Sequence, residues 1–400
     1  MHKKRYVIIG TSAVALSAST KLRQLDANAE IICISDEKED PYNKCFLADH
    51  AAGVKPLADV FTLKPALAAS KNIQLMLGCR VTAINPESQE LTLHNGNTIG
   101  YDTLLLGMGS SPYIPPIENI RDFTGIFTFH TLSDIQDIAV YRATYNAQKV
   151  VVIGAGLSGL ECADALYAQG MHVTIIERAG QVLSRSLTAQ AAAFIEEKIK
   201  KAGVKLLVNQ QVQKVIGSVD KVTGVQLASG DFVPADMVII ATGLMPNSAL
   251  AQAADIAVHD KGGVLVNEYL QTSKKGIWAA GDLIMVKDQI TGTLVPSCTW
   301  PDAMQQGMIA ALNMAGTPQV YQGATPIISS AFFGVKFAAC GDFNALDLQF
   351  NQKVTPDAYE AILTLDDHLK GFILVGDQAK RPLLRRLLLT QEPITPHNLI

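Results

Sequence analysis

Short, wholly apolar runs alternate along this chain with longer stretches of helical periodicity. Tyr6-Val7-Ile8-Ile9 has the length and composition of a buried strand, and Gly10 closes it. The apolar spacing then predicts a helix from about Ser12 to Leu25, followed by a second strand, Glu30-Ile31-Ile32-Cys33-Ile34. The same pattern returns 144 positions on from Gly10: Val150-Val151-Val152-Ile153, Gly154, a helix from about Leu157 to Gln169, then Val173-Thr174-Ile175-Ile176. One strand–helix–strand unit therefore occurs twice, which predicts doubly wound parallel sheets. Pro112, Pro115 and Pro116 mark a connection between domains, and Met245-Pro246-Asn247 marks the return crossing. After about Gln319 the runs become short and strand-like, as in Ile327-Ile328 and Gly371-Phe372-Ile373-Leu374-Val375, which predicts a small α+β domain.

Composition narrows the functional classes. At 400 residues and 48% hydrophobic, the chain is long enough for two or three domains with sizeable cores. A formal charge of −4, with no basic stripe, gives no reason to expect nucleic-acid binding. No run approaches the roughly 18 apolar residues of a membrane span. The opening MHKKRYVIIG reads as a first strand and not as a signal peptide. Six scattered cysteines (33, 45, 79, 162, 298 and 340) include no Cys-x-x-Cys pair and no metal spacing. The expectation is a reduced, cytoplasmic protein without a metal centre.

The chemistry begins at Gly154-Ala155-Gly156-Leu157-Ser158-Gly159, set between a strand and a helix. The first glycine makes the tight turn, the second lets the backbone approach a pyrophosphate, and the third lets the helix pack closely on the strand. Glu177 ends the next strand 23 residues after Gly154, where a carboxylate binds a ribose 2′-hydroxyl and repels a 2′-phosphate. NADH is therefore favoured, and the neighbouring Arg178 leaves NADPH open. The first copy, Gly10-Thr11-Ser12-Ala13-Val14-Ala15, keeps only its first glycine, although Ser12 and Ala13 are small enough for a close approach. Read alone, it is either a nucleotide site or plain sheet packing.

Gln271 to Asp282 ends a strand on Gly281-Asp282, where an aspartate can hydrogen-bond a hydroxylated chain such as ribitol. With Ala241-Thr242-Gly243 and the divergent Gly107-Met108-Gly109, the chain resembles the two-dinucleotide flavoprotein reductases of the pyridine nucleotide-disulfide oxidoreductase superfamily. Pro41-Tyr42-Asn43-Lys44-Cys45-Phe46-Leu47 and Trp300-Pro301-Asp302-Ala303-Met304-Gln305-Gln306-Gly307 are similar to segments of rubredoxin reductases and of nitrite reductase flavin modules. The resemblance implies an FAD domain at 1–112 and 245–320, an NAD(P)H domain at 113–244, and a C-terminal interface-type domain at 321–400. It also implies FAD contacts at Gly10, Ser12, Ala13, Glu37, Lys44, Val81, Gly109, Gly281, Asp282 and Trp300. NAD contacts are implied at Gly154, Gly156, Leu157, Ser158, Gly159, Glu177 and Gly243, and catalytic roles at Glu161 and Lys44. In the family, Glu161 pairs with a lysine whose place is taken here by Asp49, so either His50 replaces it or the pair is missing.

Cys45 is the open position. Positions 40 and 50 are Asp and His, so a dithiol five residues apart is excluded. Cys45 is then either a small apolar filler or a single redox cysteine beside Lys44. The expected function is NADH-dependent reduction of FAD, with electrons passed to a small electron-carrier protein or small-molecule acceptor. The carrier would be rubredoxin-like or a nitrite or nitric oxide reductase partner. Alternatives are a single-cysteine NADH oxidase, peroxidase, or coenzyme A-disulfide or persulfide reductase, and a nucleotide-responsive flavin-binding protein with little catalysis. Lys380, Arg381, Arg385 and Arg386 form a basic cluster, either solvated surface or a dock for an acidic partner. Monomer and homodimer are both compatible with the sequence.

Overall fold

The computed structural model describes residues 3–343 and 348–394, so the last residues of the expected third domain lie outside the described ones. Two compact units account for the chain. One comprises Met1–Phe46, Lys55–Ser111 and Leu244–Pro326, and the other Leu47–Val54, Pro112–Gly243 and Ile327–Ile400.

The first unit is built on a five-stranded parallel sheet in the order Ile277–Ala279, Thr103–Leu106, Arg5–Ile9, Glu30–Ile34, Ile73–Met76. The predicted crossover helix runs Ala13–Leu25, with Ser12 at its N-cap. A three-stranded antiparallel sheet, Val81–Asn85, Glu90–Leu93 and Thr98–Gly100, is inserted before the strand Thr103–Leu106.

The second unit repeats this plan. Its parallel sheet runs Lys205–Leu207, His172–Ile176, Lys149–Ile153, Met237–Ile240, Ile126–Thr128. An antiparallel sheet, Val212–Ser218, Lys221–Leu227 and Phe232–Pro234, again precedes the fourth strand. The duplication is thus wider than the strand–helix–strand repeat visible in the sequence. It reaches through a sheet insertion to the strand before each Gly-Met-Gly or Ala-Thr-Gly turn. Only the fifth strand breaks the parallel: Ile277–Ala279 follows the other four strands of its sheet in the chain, whereas Ile126–Thr128 precedes the other four of its own.

The strand Lys149–Ile153 explains how this sheet is held. Val150 and Val152 belong to one buried cluster and Val151 and Ile153 to another. Successive side chains point to opposite faces, so a continuous apolar run marks a strand covered on both sides. The first of these clusters also takes in Phe332, Phe337, Tyr359 and Ile373 from the C-terminal sheet. That sheet is antiparallel, in the order Ile328–Phe332, Val335–Cys340, His368–Val375, Tyr359–Leu365, Gln349–Val354. Among the described residues, no helix is long and apolar enough to cross a membrane.

Candidate functional site

In the first unit the implied flavin residues gather at the carboxyl ends of the parallel strands, where doubly wound folds bind ligands. Gly10 ends the first strand at φ +114, and a Cβ there would lie 2.2 Å from the carbonyl oxygen of Gly107. No other residue fits this turn. Past the second strand, Glu37 is gripped from two sides. The Tyr42 hydroxyl donates to its Oε2 at 2.5 Å, and Lys44 Nζ lies 3.5 Å from its Oε1. The Pro-Tyr-x-Lys segment is therefore a device for orienting the Glu37 carboxylate.

Gly281 and Asp282 are held by a residue of the Trp300 to Gly307 segment to which the sequence alone assigns no role. Gln306 is fully buried in the helix Trp300–Met314. Its Oε1 accepts from the Gly281 backbone at 2.7 Å, while its Nε2 donates to Ser297 Oγ at 3.0 Å and to the Tyr321 hydroxyl at 2.9 Å. Next to it, a Cβ on Gly307 would lie 2.3 Å from Ser17 Oγ and 2.5 Å from the Val14 carbonyl. The Gln-Gly pair thus fixes the Gly-Asp turn and lets two helices close on each other. Burial pushes the Asp282 carboxyl above its ordinary range, and the charge of Lys44 and a 3.4 Å hydrogen bond from Ser110 draw it back. Lys44 therefore acts on both Glu37 and Asp282.

Trp300 opens its helix behind the N-cap Thr299, whose side chain accepts from the Asp302 backbone. Ala13 is buried, and the Val81 side chain packs in the core. Gly109 sits at φ +62, and Asn247 locks that turn by donating to the Met108 carbonyl at 2.8 Å and to the Gly109 carbonyl at 3.0 Å. Cys45 is solvent-exposed.

In the second unit the glycine loop is complete. Gly154 has φ +109, and its Cβ would meet the Ala241 carbonyl oxygen at 2.4 Å. A Cβ on Gly159 would lie 2.1 Å from the Gly154 carbonyl, so helix and turn touch through backbone. Gly156 and Gly243 face open space, leaving the backbone accessible. Glu177 accepts from Ala155 N and Ala179 N, both at 2.7 Å, which ties the strand end to the glycine loop. Leu157 and Ser158 begin the helix Leu157–Ala168.

Glu161, one turn into that helix, has a partner that no local motif announces. The Ser330 hydroxyl, from the C-terminal sheet, donates to its Oε1 at 2.6 Å. Burial raises the Glu161 carboxyl above the ordinary range, Ser330 opposes the rise, and Asp49 adds to it. Asp49, where the resemblance implies a lysine, is thus a repelling carboxylate, and a serine 169 positions away donates a hydrogen bond to Glu161. Three members of the C-terminal basic cluster are spent internally. Lys380 pairs with Glu360 at 2.9 Å, Arg386 with Glu392 at 2.6 Å, and Arg381 donates to Ser329 Oγ at 2.8 Å.

Two glycine turns, each closed against its own fourth strand, are the hallmark of a protein with two dinucleotide sites. Residues 4–307 match the pyridine nucleotide-disulphide oxidoreductase family. The chain belongs to that family. It is an NAD(P)H-dependent flavin oxidoreductase whose cofactors are FAD and NAD(P)H. It is 33% identical over 333 residues to an NADH oxidase of Methanocaldococcus jannaschii, spanning 82% of this chain and 73% of that one. It is 28% identical over 400 residues to the assimilatory nitrate reductase electron transfer subunit of Bacillus subtilis, covering 99% of this chain and half of that protein. The reductase in a covalent putidaredoxin reductase–putidaredoxin complex superposes with a TM-score of 0.90 at 28% identity, over 99% of this chain and 95% of that one.

The residues present fit both cofactors of this family. A cradle without a side chain at Gly156, and a small, half-exposed residue at Ser12, leave backbone open to a pyrophosphate.

Proposed function

We propose that this flavoprotein draws electrons from NADH and passes them to a small electron-carrier protein of the rubredoxin or ferredoxin kind. The observation that carries this reading is the Glu37–Tyr42–Lys44 arrangement with a single cysteine beside it. A flavin site of this form has no second thiol five residues away to receive electrons, so they leave for an acceptor outside the chain. The likenesses to a nitrate reductase electron transfer subunit and to a putidaredoxin reductase support the same direction.

In this reading Gly10, Ser12, Glu37, Lys44, Gly109, Gly281, Asp282 and Trp300 hold FAD, with Gln306 and Tyr42 fixing two of the contacts. The loop Gly154–Gly159, Glu177 and Gly243 hold the nicotinamide coenzyme. Bound FAD supplies acceptance of two electrons from the reduced nicotinamide and their release one at a time. Lys44 offsets negative charge beside Asp282, and Glu177 disfavours a coenzyme carrying a 2′-phosphate. Glu161 places a carboxyl one turn beyond the glycine loop. NADH-driven reduction of added rubredoxin or a [2Fe–2S] ferredoxin, followed in a stopped-flow instrument, tests the assignment. Reduction no faster than with free FAD removes it.

The exposure of Cys45 favours a second reading, in which its thiol exchanges with a disulfide or persulfide substrate beside Lys44. Cys45→Ser separates the two. Full turnover with protein carriers and none with coenzyme A disulfide or persulfide assigns Cys45 to the second activity, and unchanged turnover with every acceptor eliminates it.

A further inference from the structure

A half-buried carboxylate in the first turns after a dinucleotide-binding glycine loop is a candidate for the chemistry of that coenzyme, provided something fixes its orientation. Glu161 is such a group, and its fixing comes from the last part of the chain. The strand Ile328–Phe332 packs along the helix Leu157–Ala168. Two carboxylates on that helix, three residues apart and so on one face, hold it there. Ser330 Oγ donates to Glu161 Oε1 at 2.6 Å, and the Phe333 backbone donates to Asp164 Oδ1 at 3.0 Å. The Phe333 ring lies 5.9 Å from that of Tyr167 on the same helix, which closes the contact one turn further on.

We propose that Ser330 is the positioning residue for Glu161, so that the C-terminal sheet orients the carboxyl at the nicotinamide site. This inference rests on the catalytic role that the family resemblance implies for Glu161, placed in the NADH half-reaction. The fixed geometry follows from the length of the bond and its surroundings. At 2.6 Å the hydroxyl is close enough to hold one carboxyl oxygen, and the Asp164–Phe333 bond prevents the strand from sliding along the helix. The hydroxyl also sets how readily Glu161 ionises, because a donor favours the charged form while burial and Asp49 oppose it.

The ionisable groups on the elements packed against this helix are few. Asp49 and His50 lie on Leu47–Ala51, Lys149 and His172 open the strands Lys149–Ile153 and His172–Ile176, and Ile328–Phe332 carries none. On its own helix Glu161 has Cys162 beside it and Asp164 three residues on. Asp49 is the charge that acts on Glu161 in opposition to Ser330.

The test uses the full-length FAD-loaded protein and measures, from pH 5 to 9, the rate of flavin reduction by NADH in anaerobic stopped flow. The variants are Ser330→Ala, Ser330→Thr and Glu161→Gln, each checked for retained flavin absorbance and wild-type coenzyme affinity. In Ser330→Ala the pH dependence that Glu161→Gln abolishes should move upward by about one unit, as expected for a lost charge-assisted hydrogen bond. The limiting rate should fall while the NADH concentration at half-saturation stays close to wild type. Ser330→Thr, which keeps the hydroxyl, should restore the wild-type profile. A Ser330→Ala profile superimposable on wild type, alongside an altered Glu161→Gln, overturns the positioning role and leaves Glu161 in place. A Glu161→Gln enzyme with wild-type rates at every pH removes Glu161 from the reaction, and the proposal with it.

Discussion

Replacing Gln306 with leucine isolates the contribution of one amide to the flavin-side turn. The two side chains are close in volume, so the substitution creates little cavity and the loss is mainly polar. Three hydrogen bonds disappear: from Gly281 N, to Ser297 Oγ and to the Tyr321 hydroxyl. At a net of about 1 kcal/mol each, their loss amounts to roughly 3 kcal/mol, and groups left buried without a partner cost more than the mean. Ser297 is 2% and Tyr321 7% exposed, so water cannot replace the amide without opening the core. The more apolar side chain returns about 1 kcal/mol of transfer energy. The polar loss therefore wins, and a net destabilisation of about 2–4 kcal/mol is expected, well above that of an ordinary surface substitution. Because Gly281 precedes Asp282, part of the loss falls on the cofactor. A tenfold weaker FAD affinity needs only about 1.4 kcal/mol. Urea unfolding followed by flavin release gives the first quantity, and recovery of FAD fluorescence on dilution gives the second. A Gln306→Leu protein with an unchanged midpoint and an FAD dissociation constant within threefold of wild type would show that the turn holds itself.

Three further outcomes follow from the same geometry. Gly154→Ala forces a left-handed residue and a contact of 2.4 Å with the Ala241 carbonyl, so the protein should stay yellow while its half-saturating NADH concentration rises tenfold or more, by about 1–3 kcal/mol of strain; equal steady-state kinetics would refute this. Tyr42→Phe removes the donor that orients Glu37, a charge-assisted bond of about 1.5–3 kcal/mol, so FAD titration should show affinity lowered by about one order of magnitude, and no change would detach Glu37 from cofactor binding. Glu161→Gln should raise the thermal midpoint at pH 7 to 8. The Glu161 carboxyl titrates above its ordinary value in the folded protein, so its ionisation subtracts stability as pH rises through that shifted range, and the gain should shrink as pH falls towards 4.5. A gain that is constant with pH would point to packing instead of charge.

What the sequence made legible, and what it hid, divides by the distance over which a constraint acts. Gly10, Gly154 and Gly159 are dictated by backbone within a few residues and by one neighbouring strand, so their spacing is a local signal. The partner of Glu161 is Ser330, 169 positions away in a stretch with no motif, and no local pattern points to it. Gln306 is intermediate. A glutamine on the buried face of a helix, among Ala303, Ala310 and Met314, is conspicuous, but its acceptor and donors become visible only when Gly281, Ser297 and Tyr321 converge. Cys45 stays open because its neighbours in the chain, Lys44 and Phe46, suit a thiolate and an apolar filler equally.

The eroded first glycine motif has a structural counterpart in the comparison of the two copies. In the second, Gly159 carries no methyl and Ala241, at the end of the fourth strand, carries one; a Cβ on Gly159 would lie 3.4 Å from it. In the corresponding places of the first copy stand Ala15 and Gly107, so the methyl has changed sides. Gly107 is itself confined, since a Cβ there would lie 3.1 Å from Val14 Cγ1 and 3.3 Å from the Ile9 carbonyl. The Ala241 methyl is nevertheless the minor obstacle in the second copy, because a Cβ on Gly159 would meet the Gly154 carbonyl oxygen at 2.1 Å first. The first position of the first copy could not lose its glycine, because Gly10 already meets the Gly107 carbonyl at 2.2 Å with nothing but a virtual Cβ. Backbone carbonyls, that of Gly107 at the first position of one copy and that of Gly154 at the third position of the other, set where such a motif needs glycine, and the side chain at the strand end comes second.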